Sequence, residues 1–555
     1  MSKRARTPTP ERDQAPTQRQ AGESPGQAKR VGARDFRRRA RTTKPKRATA
    51  RQAQSSGTGL SELLAELPGL AFVSDMRRIP RAAWICMLVA CLNAVCWSLV
   101  TPAFQSPDEP DHFAYVKQLA ETARLPSSGS EQLSTEETKV LEGLQSSDVR
   151  LRPQNRSITS PAAQSRLQRY LAAAAKYPAE GSPAAGVAAS QPPLYYALET
   201  IPYSFASSKT LLNRLQLMRL FSALFAGLTA MFVFLFVREA LPGEPWSWLV
   251  AGMAVALAPL LGFMSGSVNP DSLLFAVSAA LFYALARAFR RGLDMRAAVA
   301  IGALTATGFL TKLNFIGLVP GLLLALAVLG VRARRTSARQ AYRLVAVSVG
   351  IAFMPVALYA AINALSNHET FGIVSGAIHT AHGSLLAEAN YIWQLYLPRL
   401  PGTVNDFPGL FTARQLWFNG YVGLYGWLDT PFPSWIDDAA LVPAAAIALL
   451  CGRSLLRARS LLRSRASELC VYALLALGLL VLIGANSYRS FPATDAEYAQ
   501  VRYLLPLLAL FGAVLALAAR GAGRRWGPTV GALIVVLFLA HDVFSQLQVI
   551  ARFYG

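Results

Sequence analysis

Three carboxylates and an imidazole fall within five residues in the run Pro107-Asp108-Glu109-Pro110-Asp111-His112-Phe113. Paired carboxylates of this kind supply a general base or the oxygen ligands of a divalent ion. An architectural reading stays open beside it. Pro110 suits the first position of a helix over 110–123, Asp108 or Glu109 suits its cap, and acids there complement the helix dipole. Four further motifs place polar residues beside apolar runs. Gln191-Pro192-Pro193-Leu194-Tyr195-Tyr196 reads either as an aromatic anchor at a membrane interface or as part of a binding surface. Asn269-Pro270-Asp271 reads as a tight Asx-Pro turn whose Asp271 caps the next helix, or as a further functional acid. Lys312, in Thr311-Lys312-Leu313-Asn314, either snorkels to an interface or binds a phosphate. Arg502, in Glu497-Tyr498-Ala499-Gln500-Val501-Arg502-Tyr503, offers a fixed guanidinium for phosphate or carboxylate, with snorkelling as the alternative.

A different chemistry gathers at 421–435. Tyr421, Tyr425, Trp427, Phe432 and Trp435 surround Asp429, which is the make-up of an interfacial belt and equally of a carbohydrate surface. His379 and His382 have i, i+3 spacing and His368 precedes them, without the acid pattern that would complete a metal set. Asn155-Arg156-Ser157 is a glycosylation sequon, a triplet common by chance.

The elements that must position these residues are membrane helices. The chain has 555 residues, 53% hydrophobic and 16% charged, against about 25% charged in soluble domains. A hydrocarbon core ~30 Å thick needs about 20 apolar residues per helix. Eleven runs qualify, near 82–101, 215–237, 246–264, 272–289, 296–311, 315–331, 343–364, 438–455, 468–485, 501–519 and 527–545. The apolar stretch 192–206 is short and led by proline, so it reads as an interfacial helix. The expected fold is therefore all-α, a polytopic membrane helical bundle.

Arginine distribution sets the topology. With the N-terminus in the cytoplasm, the cytoplasmic loops receive Arg238, Arg290, Arg291, the Arg332–Arg339 cluster, the Arg453–Arg465 cluster and Arg520–Arg525. The other side receives a first large loop at 102–212, a second at 365–437, and a short C-terminus at 546–555. Counting 192–206 as a span would invert every later loop. All five polar motifs then lie on the extracytoplasmic face. Residues 127–190, rich in Ser, Ala, Pro and Gln, look partly irregular.

Net charge is +23. Residues 1–51 hold sixteen Lys and Arg against four acids. With almost no large apolar residues, 1–56 reads as a disordered basic cytoplasmic tail that contacts anionic lipid head groups; nucleic acid is not the expected partner. Residues 57–81 form a candidate amphipathic juxtamembrane segment. The five cysteines fall in or beside apolar runs and give no disulfide or metal spacing. Nothing resembles a cleavable signal peptide, and no internal repeat points to an inverted-repeat transporter.

Taken in order, PDEPDHFAYVKQLAETARLP at 107–126, QPPLYYAL at 191–198, SVNPDSL at 267–273 and QVRYLLPLL at 500–508 resemble the GT-C superfamily of membrane glycosyltransferases, and within it a bacterial multipass family of unknown function. TKLNF at 311–315 and YGWLDTPFP at 425–433 fit less specifically. The resemblance covers about 82–545. It implies transfer of a sugar from a polyprenyl-phosphate donor to an extracytoplasmic glycan, lipid or protein acceptor, at a bacterial plasma membrane. Carried onto this sequence, Asp108 is the base with Glu109 beside it, and Asp271 is the second acid. Lys312 and Arg502 face the donor phosphate. His112, Gln191, Tyr195, Asp429 and Tyr503 complete the substrate surface. The Asp-Glu-Pro pattern departs from a plain spaced acid pair, so which carboxylate acts stays open. Whether a divalent metal is used also stays open, with Asp108, Glu109 and Asp271 as its ligands if it is. The competing readings are a lipid-linked glycan flippase or transporter and a non-catalytic membrane scaffold.

Overall fold

The computed structural model describes residues 79–555 apart from 127–132, 158–159, 175, 178–179, 184, 366–384, 402–411 and 495–498. The readings on the basic tail, on nearly all of 57–81, on His368, His379 and His382, and on Glu497 lie outside the described residues.

The described chain is an all-α polytopic bundle. Its longer helices are α1 (Arg81–Val100), α2 (Glu109–Thr122), α3 (Thr135–Gly143), α4 (Pro161–Ala174), α5 (Leu194–Phe205), α6 (Leu211–Ala240), α7 (Pro245–Ala256), α8 (Pro259–Ser265) and α9 (Asp271–Arg291). They continue with α10 (Met295–Thr311), α11 (Val319–Arg334), α12 (Ala338–Leu365), α13 (Leu385–Tyr396), α14 (Ser434–Arg457), α15 (Ala466–Thr494), α16 (Leu508–Gly521) and α17 (Gly523–Tyr554). Among the described residues the only sheet is a two-residue antiparallel pair, β1 (Leu424–Tyr425) with β2 (Thr430–Pro431), Leu424 opposite Pro431 and Tyr425 opposite Thr430.

Each of the eleven apolar runs lies in helix. Nine of the described helices are long and apolar enough to cross a membrane. The other two runs are special. The run 246–264 is broken into α7 and α8, bent by 53°. Pro259 has no N–H to continue the ladder and disfavours helical geometry at Ala258. The Ala256 carbonyl at the break accepts instead from Asn93 Nδ2 of α1 at 3.2 Å. The run 296–311 is α10, an apolar helix at the short end of what can span.

The most enclosed spans are α9 and α6; α14 is the least. Helix association in lipid relies on small residues that let backbones approach. Gly266 is one: a Cβ there would lie 2.7 Å from the Ala94 carbonyl oxygen and 2.8 Å from the Ser98 amide nitrogen. This seats α8 on α1, at the end where the 101–108 turn begins.

The 101–210 segment is more regular than its composition implies. Ser134 and Glu137 form a reciprocal capping box that starts α3, the usual device for satisfying two orphan helix amides. Lys117 of α2 pairs with Glu121 and with Glu136 of α3, each at 2.9 Å, and Arg214 of α6 also pairs with Glu136. These buried pairs fasten the segment to the bundle. At the other terminus α17 runs well past 545, because Arg552 is anchored at its end. The Arg552 guanidinium donates to the carbonyls of Asn155 at 2.6 Å, Val149 at 2.9 Å and Arg152 at 3.1 Å. The C-terminus and the 101–210 segment thus share one end of the bundle.

Candidate functional site

The turn between α1 and α2 is wound tightly. Phe104 and Asp108 both adopt a φ of 62°, in the left-handed region that non-glycine residues seldom occupy. The expected helix α2 forms with Pro110 in its first turn and Asp108 at its N-cap position, but the Asp108 side chain makes no capping hydrogen bond. The two neighbouring acids point to different tasks.

Glu109 turns inward and is fully buried. It accepts from Arg219 Nε at 2.8 Å and Nη2 at 2.5 Å, and from the backbone amides of Phe104 and Val268, each at 3.0 Å. Arg219 spends its remaining donors on the carbonyls of Ser98 (3.0 Å), Thr101 (2.9 Å) and Pro102 (3.0 Å). A guanidinium has five N–H groups, so all are used. The expectation that Glu109 shares catalytic or metal-binding work with Asp108 is therefore corrected: its oxygens are committed to holding the turn.

Asp108 stays 28% exposed, and its Oδ2 accepts from Arg502 Nη2 at 2.6 Å. Arg502 Nε lies 3.9 Å from Asp271 Oδ2, and Asp271 Oδ1 accepts from Lys312 Nζ at 2.7 Å. The result is a line of alternating charge, Asp108–Arg502–Asp271–Lys312. Its members come from the turn before α2, the 3-10 turn at Val501–Leu507, the first residue of α9, and the junction after α10. Asp271 does not cap α9, since Pro270 holds that position. Instead the Asn269 side chain accepts from the Asp271 amide at 3.0 Å and donates to the Pro107 carbonyl at 3.4 Å. The Asn-Pro-Asp turn is thus tied to the turn that carries Asp108.

Arg502 Nε, Arg502 Nη1 and Asp271 Oδ2 are buried without a hydrogen-bond partner among the described residues. Leaving such groups unmade in a buried place is costly, so they are the atoms with capacity left for a ligand. The Tyr503 ring lies 5.2 Å from the Arg502 guanidinium and 5.6 Å from Lys312 Nζ, within cation–π range.

Beside this line stands an aromatic wall. His112 Nδ1 is 3.0 Å from the Tyr196 hydroxyl. The Tyr196 ring stacks on Tyr115 at 3.7 Å, and the Tyr115 hydroxyl donates to the Gln191 carbonyl at 3.2 Å. Gln191 Oε1 is another buried atom without a partner among the described residues. Tyr195 faces the other way, its hydroxyl 2.8 Å from Ser222 Oγ, which donates to Glu199 at 2.7 Å. Tyr195, expected at the substrate surface, is thus hydrogen-bonded within this buried group rather than to the Asp108–Lys312 line.

Burial sets the protonation here, modulated by neighbours. Burial, opposed by the Asp108 charge and reinforced by Lys312 and Arg502, brings the His112 imidazole down to about 3. His112 is therefore neutral. Burial raises Asp108, but the positive charge of Arg502, its hydrogen bond and the charge of Lys312 outweigh it, leaving the carboxyl below the usual range. Burial and the nearby Asp108 charge push Asp111 up to about 6.

Asp429 is not brought into this group. It pairs with Arg552 at 2.9 Å and accepts from the Trp427 amide and Thr430 Oγ1, each at 3.2 Å. Its hairpin reaches the site through Trp427, whose Nε1 donates to the Phe104 carbonyl at 3.1 Å. The Trp427 ring is not an open sugar platform, because the Arg150 guanidinium lies 3.4 Å from its centroid.

The donor set does not fit a divalent ion. Glu109 is committed to Arg219, and each of Asp108 and Asp271 gives an oxygen to a cation, with Arg502 standing between them. No group of three or more His, Cys, Asp or Glu among the described residues is arranged to hold a metal. Arg219 was not singled out in the sequence. The signal available was a lone arginine inside the apolar run 215–237.

No curated protein matches the sequence. Two structures of the Archaeoglobus fulgidus oligosaccharyltransferase are similar: the apo form at 13% identity, and a form tethered by a disulfide to an acceptor peptide containing the NVT sequon, at 12%. Both have a TM-score of 0.38 and align over 85% of this chain. The chain spans a little over half of that enzyme's length, 56% and 55% in the two structures, and no residue role is transferred from it. The multipass membrane family expected from the motifs is met directly: the family model described as predicted membrane protein DUF2142 matches residues 91–511, and the chain belongs to that family.

Proposed function

We propose that this chain is a membrane glycosyltransferase that moves a sugar from a polyprenyl-phosphate donor to the hydroxyl of a glycan, lipid or protein acceptor. The observation that carries the reading is the line Asp108–Arg502–Asp271–Lys312, in which a partly exposed carboxylate sits beside a buried guanidinium two of whose nitrogens make no hydrogen bond among the described residues. A lipid-linked donor keeps its chain in the bilayer and its phosphate at the interface. It therefore calls for cations at that depth, aimed at the charge that develops on the leaving group. The arginine asymmetry favours an extracytoplasmic placement of this end.

In this reading the acceptor oxygen attacks the anomeric carbon while Asp108 takes its proton. The bond from the anomeric carbon to the phosphate oxygen breaks, and polyprenyl phosphate leaves with the electron pair toward Arg502 and Lys312. Asp108 is ionised beforehand, as a proton acceptor must be. As Arg502 turns its fork to the phosphate, Asp108 loses part of its counter-charge and becomes a better base. Asp271 keeps Lys312 and Arg502 oriented; His112, Gln191 and Tyr503 border the acceptor space. The test is to incubate membranes with labelled polyprenyl-phosphate sugars. Asp108→Asn is expected to abolish transfer while the protein accumulates and folds as wild type, and full transfer by that variant would overturn the assignment.

A further inference from the structure

The opposite, arginine-rich end of the bundle holds a cavity of about 240 Å3 between the C-terminal ends of α9 and α11 and the first turns of α12. Its apolar side is made by Phe289, Leu293, Leu329 and Leu344, and its polar side by Arg332, Thr336 and Gln340. Arg332 is held in place: Nη2 donates to Ser467 Oγ at 2.7 Å, and the guanidinium lies 5.1 Å from the Phe289 ring.

Charge around the cavity is mostly positive: of the acids beside it, Asp294 caps α10 and Glu468 pairs with Arg465 at 2.7 Å. From residue 295 to 365 the sequence contains no Asp or Glu, while Arg332, Arg334, Arg335, Arg339 and Arg343 fall within twelve residues. Among the described residues none of these five makes an ion pair, whereas nearby Arg291 pairs with Glu239 at 2.5 Å. The first turns of α12, a 28-residue helix, add the positive end of its dipole. On the membrane side the same two helices expose Leu323, Val331 and Val349, a surface for hydrocarbon chains. The cavity is smaller than the ~300–1,000 Å3 pockets that enclose drug-sized ligands, so it suits a compact head group whose chains remain outside. Helix ends of this kind lie at head-group depth in a bilayer, where basic residues attract anionic lipid.

We propose that this cavity binds the phosphate head group of an anionic phospholipid, with Arg332 as its anchor and the acyl chains laid along α11 and α12. The proposal is independent of the glycosyl-transfer site at the other end.

The test uses the full chain, purified and stripped of lipid in detergent. Dioleoyl phosphatidylglycerol, dioleoyl phosphatidylcholine and inorganic phosphate are each titrated against the thermal midpoint, and retained lipid is counted by native mass spectrometry. Phosphatidylglycerol is expected to raise the midpoint and remain bound; the other two are not. Arg332→Gln is expected to weaken phosphatidylglycerol binding about five- to tenfold. Ala333→Phe keeps every charge but fills the cavity, and is expected to abolish retention while eluting as the same monodisperse species. Arg525→Gln removes an equal charge away from the cavity and is expected to bind as wild type. Equal shifts with phosphatidylcholine would mean ordinary solvation, and equal shifts with inorganic phosphate would mean a free-anion site. Equal weakening in Arg332→Gln and Arg525→Gln would mean diffuse attraction, and unchanged retention in Ala333→Phe would place the lipid elsewhere. Each of these four results overturns the proposal.

Discussion

Glu109 and Arg219 saturate one another and the backbone around them: a fully buried carboxylate meets a guanidinium whose every donor is used, and together they bind α1, α6, the 101–108 turn and the strand of chain before Asn269. Breaking a buried pair of this kind by removing one partner strands the other charge and costs about 3–5 kcal/mol. Glu109→Ala and Arg219→Ala are each expected to lower the thermal midpoint sharply in detergent. Asp108→Asn, at a partly exposed position whose partner Arg502 keeps Asp271 beside it, is expected to shift it less. The double variant should lose less than the two singles combined, since neither charge is left alone. A midpoint for Glu109→Ala equal to wild type would show that the clamp does not hold the turn.

The Asp111 carboxyl is expected to make stability depend on pH in an unusual direction. Its folded value, about 6, lies above the ordinary 3.8 through burial and the Asp108 charge, opposed by the Val187 amide and Arg150. The folded state therefore binds the extra proton between those values. The stability this proton contributes is lost as pH rises from about 4 through 6, and the contribution is gone above that. Asp111→Asn should remove this loss, so its midpoint relative to wild type rises from pH 5 to pH 7.5. His112 is neutral across this range, and His112→Asn should leave the slope unchanged. A slope identical in wild type and Asp111→Asn would assign the titration to another group.

Trp427 is expected to act on the site by position. Its Nε1 donates to the Phe104 carbonyl in the turn that carries Asp108, and Asp429 and Arg552 hold its hairpin in place. Trp427→Phe keeps a ring under Arg150 but removes that hydrogen bond, worth about 0.5–1.5 kcal/mol. Transfer should fall several-fold through kcat with donor KM nearly unchanged, and the midpoint should move only slightly. A loss confined to KM would mean that the ring touches substrate after all.

Much of this architecture can be read in the linear chain because hydropathy and arginine placement are strong, redundant signals. The runs at 82–101 and 272–289 reappear almost residue for residue as α1 and α9. The break at Pro259 could have been read from the proline alone, yet a continuous apolar run hid it. The segment 127–190 was harder. Its helices are held by pairs such as Lys117 with Glu136 and Arg214 with Glu136, and partners 19 and 78 residues apart leave no local period. Within the site, the motifs that carry the resemblance marked Asp108, Asp271, Lys312 and Arg502, which the structure sets in one line. Residue type could not tell Asp108 from Glu109, because that choice depends on an arginine more than a hundred residues downstream. Asp429 misled for the same reason, since Arg552, its partner, lies at the far end of the chain.

Arg502 is the residue on which the proposed chemistry most depends on shape rather than charge. Its Nη2 serves Asp108, while Nε and Nη1 are buried and make no hydrogen bond among the described residues. A guanidinium spreads its donors over three nitrogens, so Nε or Nη1 can reach a phosphate while Nη2 stays near the carboxylate, whereas an ammonium is a single point that must choose. Arg502→Lys preserves the charge, so Asp108 keeps a counter-ion and the protein should remain folded. The variant should nevertheless lose the directed contacts to the donor. Hydrogen bonds to charged groups contribute about 1.5–3 kcal/mol each, so kcat/KM is expected to fall at least roughly 10- to 100-fold. If the fork holds the donor equally in the ground and transition states, the loss appears in KM. If it serves the leaving group, the loss appears in kcat. Steady-state kinetics over a range of donor concentration separates the two. Wild-type kcat/KM in Arg502→Lys would show that the guanidinium only balances Asp108, and would remove the phosphate from this side of the site.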